Sequence, residues 1–239
     1  MLVPFPTHTN ILFDTDKTFF EIEHLLFTLD SVVELFNQYF PEKMNRSLVV
    51  SLSSSYGCPI CFRSEQKIFL DTTTYSWCQA AYQFSHELCH YMIPSDVCSS
   101  LRWFEESICE LASYFFVPKL TDLWKEKDIS FKTSSGELYA NTFVPYIKND
   151  MAKSVPFDIY SNENIEYLEH NCYEREMNKH IANILLPIFS KTPETWHAIP
   201  YLCKIPPNQT LLNSLLDWKN LAPSYSHKGI DAILQVFRR

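Results

Sequence analysis

Glycine is scarce, with three residues in 239. A fold dominated by tight β-turns draws on glycine for left-handed backbone positions, so helix is expected to dominate. Long apolar runs are missing as well: no stretch approaches the roughly twenty residues that a membrane span needs. Met1 to Asn10 carries two prolines and no basic cluster ahead of an apolar run, which is not the pattern of a secretory signal. The expectation is a cytoplasmic protein without a membrane partner. Positive charge is in deficit too, since 20 Lys and Arg face 28 Asp and Glu for a formal charge of −8. No chain-wide basic surface exists to grip phosphates, so no nucleic acid partner is expected. Gly-rich phosphate loops, a G-x-S-x-G elbow and a Rossmann fingerprint are all absent, which excludes the usual nucleotide and serine-nucleophile signatures.

Eight cysteines are present, but they are scattered through a chain far longer than a disulfide-stapled module and read as reduced, mostly buried thiols. Cys58 and Cys61 form a single C-x-x-C without a second pair. Beside Gly57 and Pro59 it reads as a turn.

What the chain does have is apolar mass, 46% hydrophobic and 15% aromatic, enough for a sizeable core. Apolar positions from Ile22 to Tyr39 recur at helical spacing until Pro41, which predicts a helix over Phe20 to Phe40. Ser47 to Ser53 and Lys67 to Asp71 predict strands, with a third at Ile60 to Arg63. Ser76, three residues before Gln79, suggests a capping box opening a helix at Trp77, and Pro94 ends that helix near Met92. A further helix is expected from Leu101 to Val117. The next forty residues show no clear period apart from a short helix at Leu138 to Lys148. Long helical patterns then return over Asn162 to Ser190, Pro193 to Leu202, Gln209 to Asn220 and Lys228 to Phe237. The predicted class is α+β, predominantly helical, with residues 1–118 forming a mixed half and 119–239 an all-helical half.

Within the Trp77 helix lies His86-Glu87-Leu88-Cys89-His90. Two histidines four apart project from one helical face toward a single metal ion. With eight histidines in the chain, chance alone would give H-E-x-x-H in roughly one chain in fifty, so the phase of the helix matters. Trp77, Ala80, Ala81, Phe84, Leu88 and Tyr91 fall in one band of roughly 100°, while Gln79, Gln83, His86, Glu87 and His90 lie on the other side. The helix can therefore bury one face and present imidazoles and a carboxylate on another. The following helix offers Glu105, Glu106 and Glu110 as carboxylates for a third ligand.

In these features, over residues 47 to 117, the sequence resembles the gluzincins, zinc metallopeptidases with H-E-x-x-H on one helix and a ligand glutamate on the next. The resemblance implies a zincin-like small mixed sheet beside active-site helices, with the C-terminal half forming the other wall of a cleft. It implies Zn²⁺ held by His86 and His90. Aminopeptidase-type members place the ligand glutamate three positions after a tryptophan, as Glu106 follows Trp103, although Ser107 replaces their usual glycine. Thermolysin-type spacing points instead to Glu110. We take Glu106 as the ligand, with Glu110 then accepting a hydrogen bond from a ligand imidazole. The implied chemistry is peptide hydrolysis by a metal-activated water with Glu87 as general base, on a peptide or protein substrate. The exopeptidase signature Gly-x-Met-Glu-Asn is absent. Tyr114, Tyr139, Tyr146, His170 and His180 remain open as the group that steadies an oxyanion. The alternative is a zinc-binding regulatory or interaction protein with the same fold and no general peptidase activity.

Overall fold

The computed structural model describes residues 1–41 and 44–238. Its elements are β1 (Leu2–Pro4), β2 (Ile11–Asp14), α1 (Phe19–Tyr39), β3 (Leu48–Leu52), β4 (Ile60–Phe62), β5 (Lys67–Leu70), α2 (Trp77–Met92) and α3 (Arg102–Phe116). They continue with α4 (Leu120–Glu126), α5 (Phe143–Met151), α6 (Asn162–His170), α7 (Arg175–Lys191), α8 (Leu211–Leu221) and α9 (His227–Phe237). The segment Pro193–Lys204 winds as a 3-10 helix. The class is α+β and mostly helical, about 60% helix with a small mixed sheet. No helix among the described residues is long and apolar enough to cross a membrane.

The strands lie in the order β1-β2-β3-β5-β4. The inner three are parallel, and both outer strands pair antiparallel to their neighbours. Register aligns Phe13 with Val50 and Val50 with Ile68, all buried. Because side chains alternate along a strand, Ile11, Leu48 and Leu70 are buried with this row as the sheet's inner face. The strands β1 and β2 were not anticipated. At three and four residues they are too short for a period to stand out, and Pro4 is tolerated because β1 is an edge strand. The alternation of Ile11 and Phe13 was their only signal.

Chain contacts divide the protein into two units. One comprises Met1–Gln38, Glu42–Tyr91 and Ala112–Asn149; the other comprises Tyr39–Pro41, Met92–Leu111 and Asp150–Arg239. In the sheet-bearing unit α1 buries Leu25, Leu26, Leu29, Val32 and Val33, and Phe36 stacks on Phe116 with ring centroids 4.2 Å apart. Trp124 Nε1 donates to Ser31 Oγ at 3.1 Å, so this large aromatic is buried with its polar atom satisfied. In the helical unit Phe104 meets Trp218 and Phe237 edge-on. Trp218 Nε1 donates to the Ala198 carbonyl at 2.8 Å. Gly229 on α9 sits where an added Cβ would lie 1.8 Å from Thr195 Oγ1, so a close approach accounts for one of the few glycines.

Three expectations are revised. Asn162 to Ser190 is two helices, because Asn171 ends α6 by donating both its backbone N–H and its side-chain amide to the Tyr167 carbonyl at 2.9 Å. The capping box at Ser76 is not closed: the Gln79 amide donates to the Asp71 carbonyl at 3.2 Å instead of reaching back. The cysteines are all free, yet only Cys78, Cys89 and Cys109 are buried.

Candidate metal centre

The amphipathic phase of α2 emerges as the periodicity required. Trp77, Ala80, Ala81, Phe84, Leu88 and Tyr91 are buried. Along the whole helix only Gln79, Tyr82, His86 and His90 are not fully buried. At 100° per residue these four form one stripe, the sole line along which solvent meets the helix. Glu87 lies beside the stripe and is buried, with 4% of its surface exposed.

His86 Nε2 and His90 Nε2 stand 3.2 Å apart. Two imidazole nitrogens sharing one zinc at about 2.0–2.1 Å would subtend roughly 100° at the ion when separated this far, close to a tetrahedral angle. The donor pair therefore fits such an ion. A carboxylate oxygen of Glu106 completes a set in which the three ligand atoms all lie within 4.8 Å of one another. Among the described residues this is the only group of His, Cys, Asp or Glu side chains so placed.

Ser113 Oγ donates to the Tyr82 carbonyl at 2.7 Å, which fixes the later turns of α3 against α2. Glu106 is seven residues earlier on the same unbroken helix, two turns away and on the same face. The helix is more enclosed than its polar residues suggested. From Trp103 to Val117 every residue is buried except Glu106, and Glu105 and Glu110 are included in that burial. Between Trp103 and Val117 solvent thus reaches only the carboxylate grouped with the histidines, while Glu110 is outside the three-residue group.

Arg63, which follows β4, carried no signal in the sequence. Its Nε donates to the His90 carbonyl at 2.7 Å, and its Nη2 stands 3.3 Å from His90 Nδ1. A guanidinium can only donate, so this contact is made to Nδ1 as an acceptor.

The candidates left open for an oxyanion are dispersed. Tyr114 is buried. The Tyr139 hydroxyl accepts from the Cys78 backbone N–H at 3.1 Å, and burial pushes its pKa well above the ordinary phenol range. Burial lowers the pKa of His180, whose ring lies 5.3 Å from that of Phe157. The His170 Nδ1 lies 2.7 Å from the Glu166 carbonyl on its own helix. The Tyr146 ring lies 6.1 Å from that of Tyr82 on the solvent-reached stripe.

Comparison of the chain with protein-family models, with curated proteins and with solved structures found no match.

Proposed function

We propose that this chain is a zinc-dependent metallopeptidase of zincin-like architecture, with His86, His90 and Glu106 as metal ligands and Glu87 as general base. The observation that carries this reading is the convergence of the two Nε2 atoms and the Glu106 carboxylate at one solvent-reached point. A bound zinc supplies a Lewis acid and a water ligand of lowered pKa. Glu87, one position after His86 and largely shielded from bulk water, takes the proton from the attacking water on its carboxylate and passes it to the departing amine. Peptide positioning has support of its own. The strand β4 ends the sheet, the position at which an extended chain would add as a further strand. Arg63 ties the end of that strand to His90, holding the peptide-pairing edge and the metal helix in one frame.

The test is zinc content after metal loading. The natural sequence is expected to hold one zinc per chain, and His86→Ala and His90→Ala proteins less than a tenth of that. Full zinc in either variant would move the site elsewhere. Stoichiometric zinc without hydrolysis of any peptide in a broad mixture would favour the regulatory reading.

A further inference from the structure

We infer that a cavity at the amino-terminal end of α2 is a binding site for a cationic side chain, arginine or lysine, of the bound polypeptide. The cationic preference stands on the cavity itself; the polypeptide carrier rests on the peptidase reading above. The cavity measures about 630 Å³ and lies entirely within the sheet-bearing unit. Gln79, Glu137, Tyr139, Asn141, Thr142 and Tyr146 contribute to its lining.

Two donors of this wall are engaged by carbonyls of the chain. Thr142 Oγ1 donates to the Tyr139 carbonyl at 2.6 Å, and Gln79 Nε2 donates to the Asp71 carbonyl. Acceptors remain. Gln79 Oε1 has no hydrogen-bond partner among the described residues, and the Glu137 carboxylate forms no ion pair there. Glu137 is the one side chain lining the cavity that is charged at neutral pH. Tyr139 packs 4.2 Å from the Trp77 ring, and its hydroxyl receives the Cys78 N–H, so this aromatic wall is held in place before any ligand arrives. A fixed aromatic face, an amide oxygen and a carboxylate together suit a guanidinium or ammonium on an apolar stem. The net charge of −8 adds a long-range bias toward basic chains.

Its position links the cavity to the metal centre. Gln79 precedes His86 by seven residues, about 10.5 Å along the same stripe of α2. An extended peptide rises about 3.4 Å per residue, so the cavity receives a side chain roughly three residues from the bond at the metal, or two for a stem as long as arginine's. Tyr82 lies on the stripe between them, and its ring is 6.1 Å from that of Tyr146 in the cavity wall.

The experiment uses full-length Glu87→Gln protein, so that peptides stay intact. The probes are blocked eight-residue alanine peptides carrying one arginine or, in its place, the isosteric neutral citrulline. The arginine peptide is expected to bind about three- to tenfold more tightly, an advantage that shrinks with added salt and disappears in the Glu87→Gln, Glu137→Gln double variant. Agmatine alone should shift the Tyr146 ring resonances in otherwise native protein and leave them unmoved in Glu137→Gln. Equal binding of the two peptides, or an advantage that survives loss of Glu137, overturns the inference. Agmatine binding at Tyr146 in a protein that hydrolyses no peptide would sink the peptidase reading and leave the cationic site. Hydrolysis with no arginine preference and no agmatine shift would sink this inference alone.

Discussion

In the sheet-bearing unit, His8 belongs to a closed network. Its Nδ1 lies 2.8 Å from Asp30 Oδ1, and its Nε2 lies 3.0 Å from Asn37 Nδ2. Asn37 Oδ1 accepts from the Met44 N–H at 2.7 Å, which fixes the amide and makes Nδ2 the donor to His8. Asp30 also accepts from the Thr7 hydroxyl at 2.6 Å and from two backbone amides. His86 and His90 draw on the same side-chain chemistry with a different geometry: two ring nitrogens face one point at 3.2 Å, beside a carboxylate that solvent reaches. Imidazole and carboxylate together do not make a metal site. The His86 and His90 nitrogens converge on one position, whereas in the His8 cluster the polar atoms are directed at groups of the chain itself.

The comparison can be broken most severely at Glu87. Glu87→Gln should retain zinc while peptide hydrolysis falls by roughly two to four orders of magnitude, measured on one metal-loaded preparation. Undiminished activity would remove the open cluster from the chemistry. Next in size is the pair of glutamates. Glu106→Ala should weaken zinc binding by more than about a hundredfold and Glu110→Ala by about tenfold, read by chelator competition. The reverse order would transfer the ligand role to Glu110.

The closed cluster should respond in stability and not in metal. Asp30→Asn is expected to cost about 2 kcal/mol in urea unfolding at pH 7 with zinc content unchanged. Burial alone would raise the Asp30 pKa, but hydrogen bonds from His8 and Thr7 outweigh it and hold the folded value below the ordinary aspartate range. A carboxyl depressed in this way stabilises the fold above its unfolded pKa, near 3.9, and that contribution is lost as pH falls through the folded value. The gap between Asp30→Asn and the natural sequence should therefore narrow from pH 7 to pH 3. The smallest effect is expected for Asn37→Ala, about 1 kcal/mol, again without loss of zinc. Zinc loss in either variant would mean that the two clusters are coupled.

Much of the helical framework was legible because its signals are local. The helix over Phe20 to Phe40 appears as Phe19–Tyr39, and the Trp77 helix has the expected bounds of Trp77–Met92. The strands at Leu48–Leu52, Ile60–Phe62 and Lys67–Leu70 fall within the segments anticipated for them. The helix α4 escaped notice, as seven residues give fewer than two full turns of pattern. The break at Asn171 escaped because apolar spacing continues on both sides of it, and the stop is marked only by hydrogen bonds of that one residue. The His8 network was invisible, since its members lie 22 and 29 positions apart and nothing in their spacing binds them.

From the sequence alone came the two histidines on one helical face, the buried opposite face and the predominance of helix, all consequences of a 3.6-residue period and of composition. Tertiary structure decided the rest. The only cluster of possible metal ligands among the described residues joins the two histidines with Glu106, which their separation along the chain does not reveal. Tertiary structure also set β4 at the sheet edge and Arg63 against His90, since strand order depends on pairings between distant segments that no local pattern encodes.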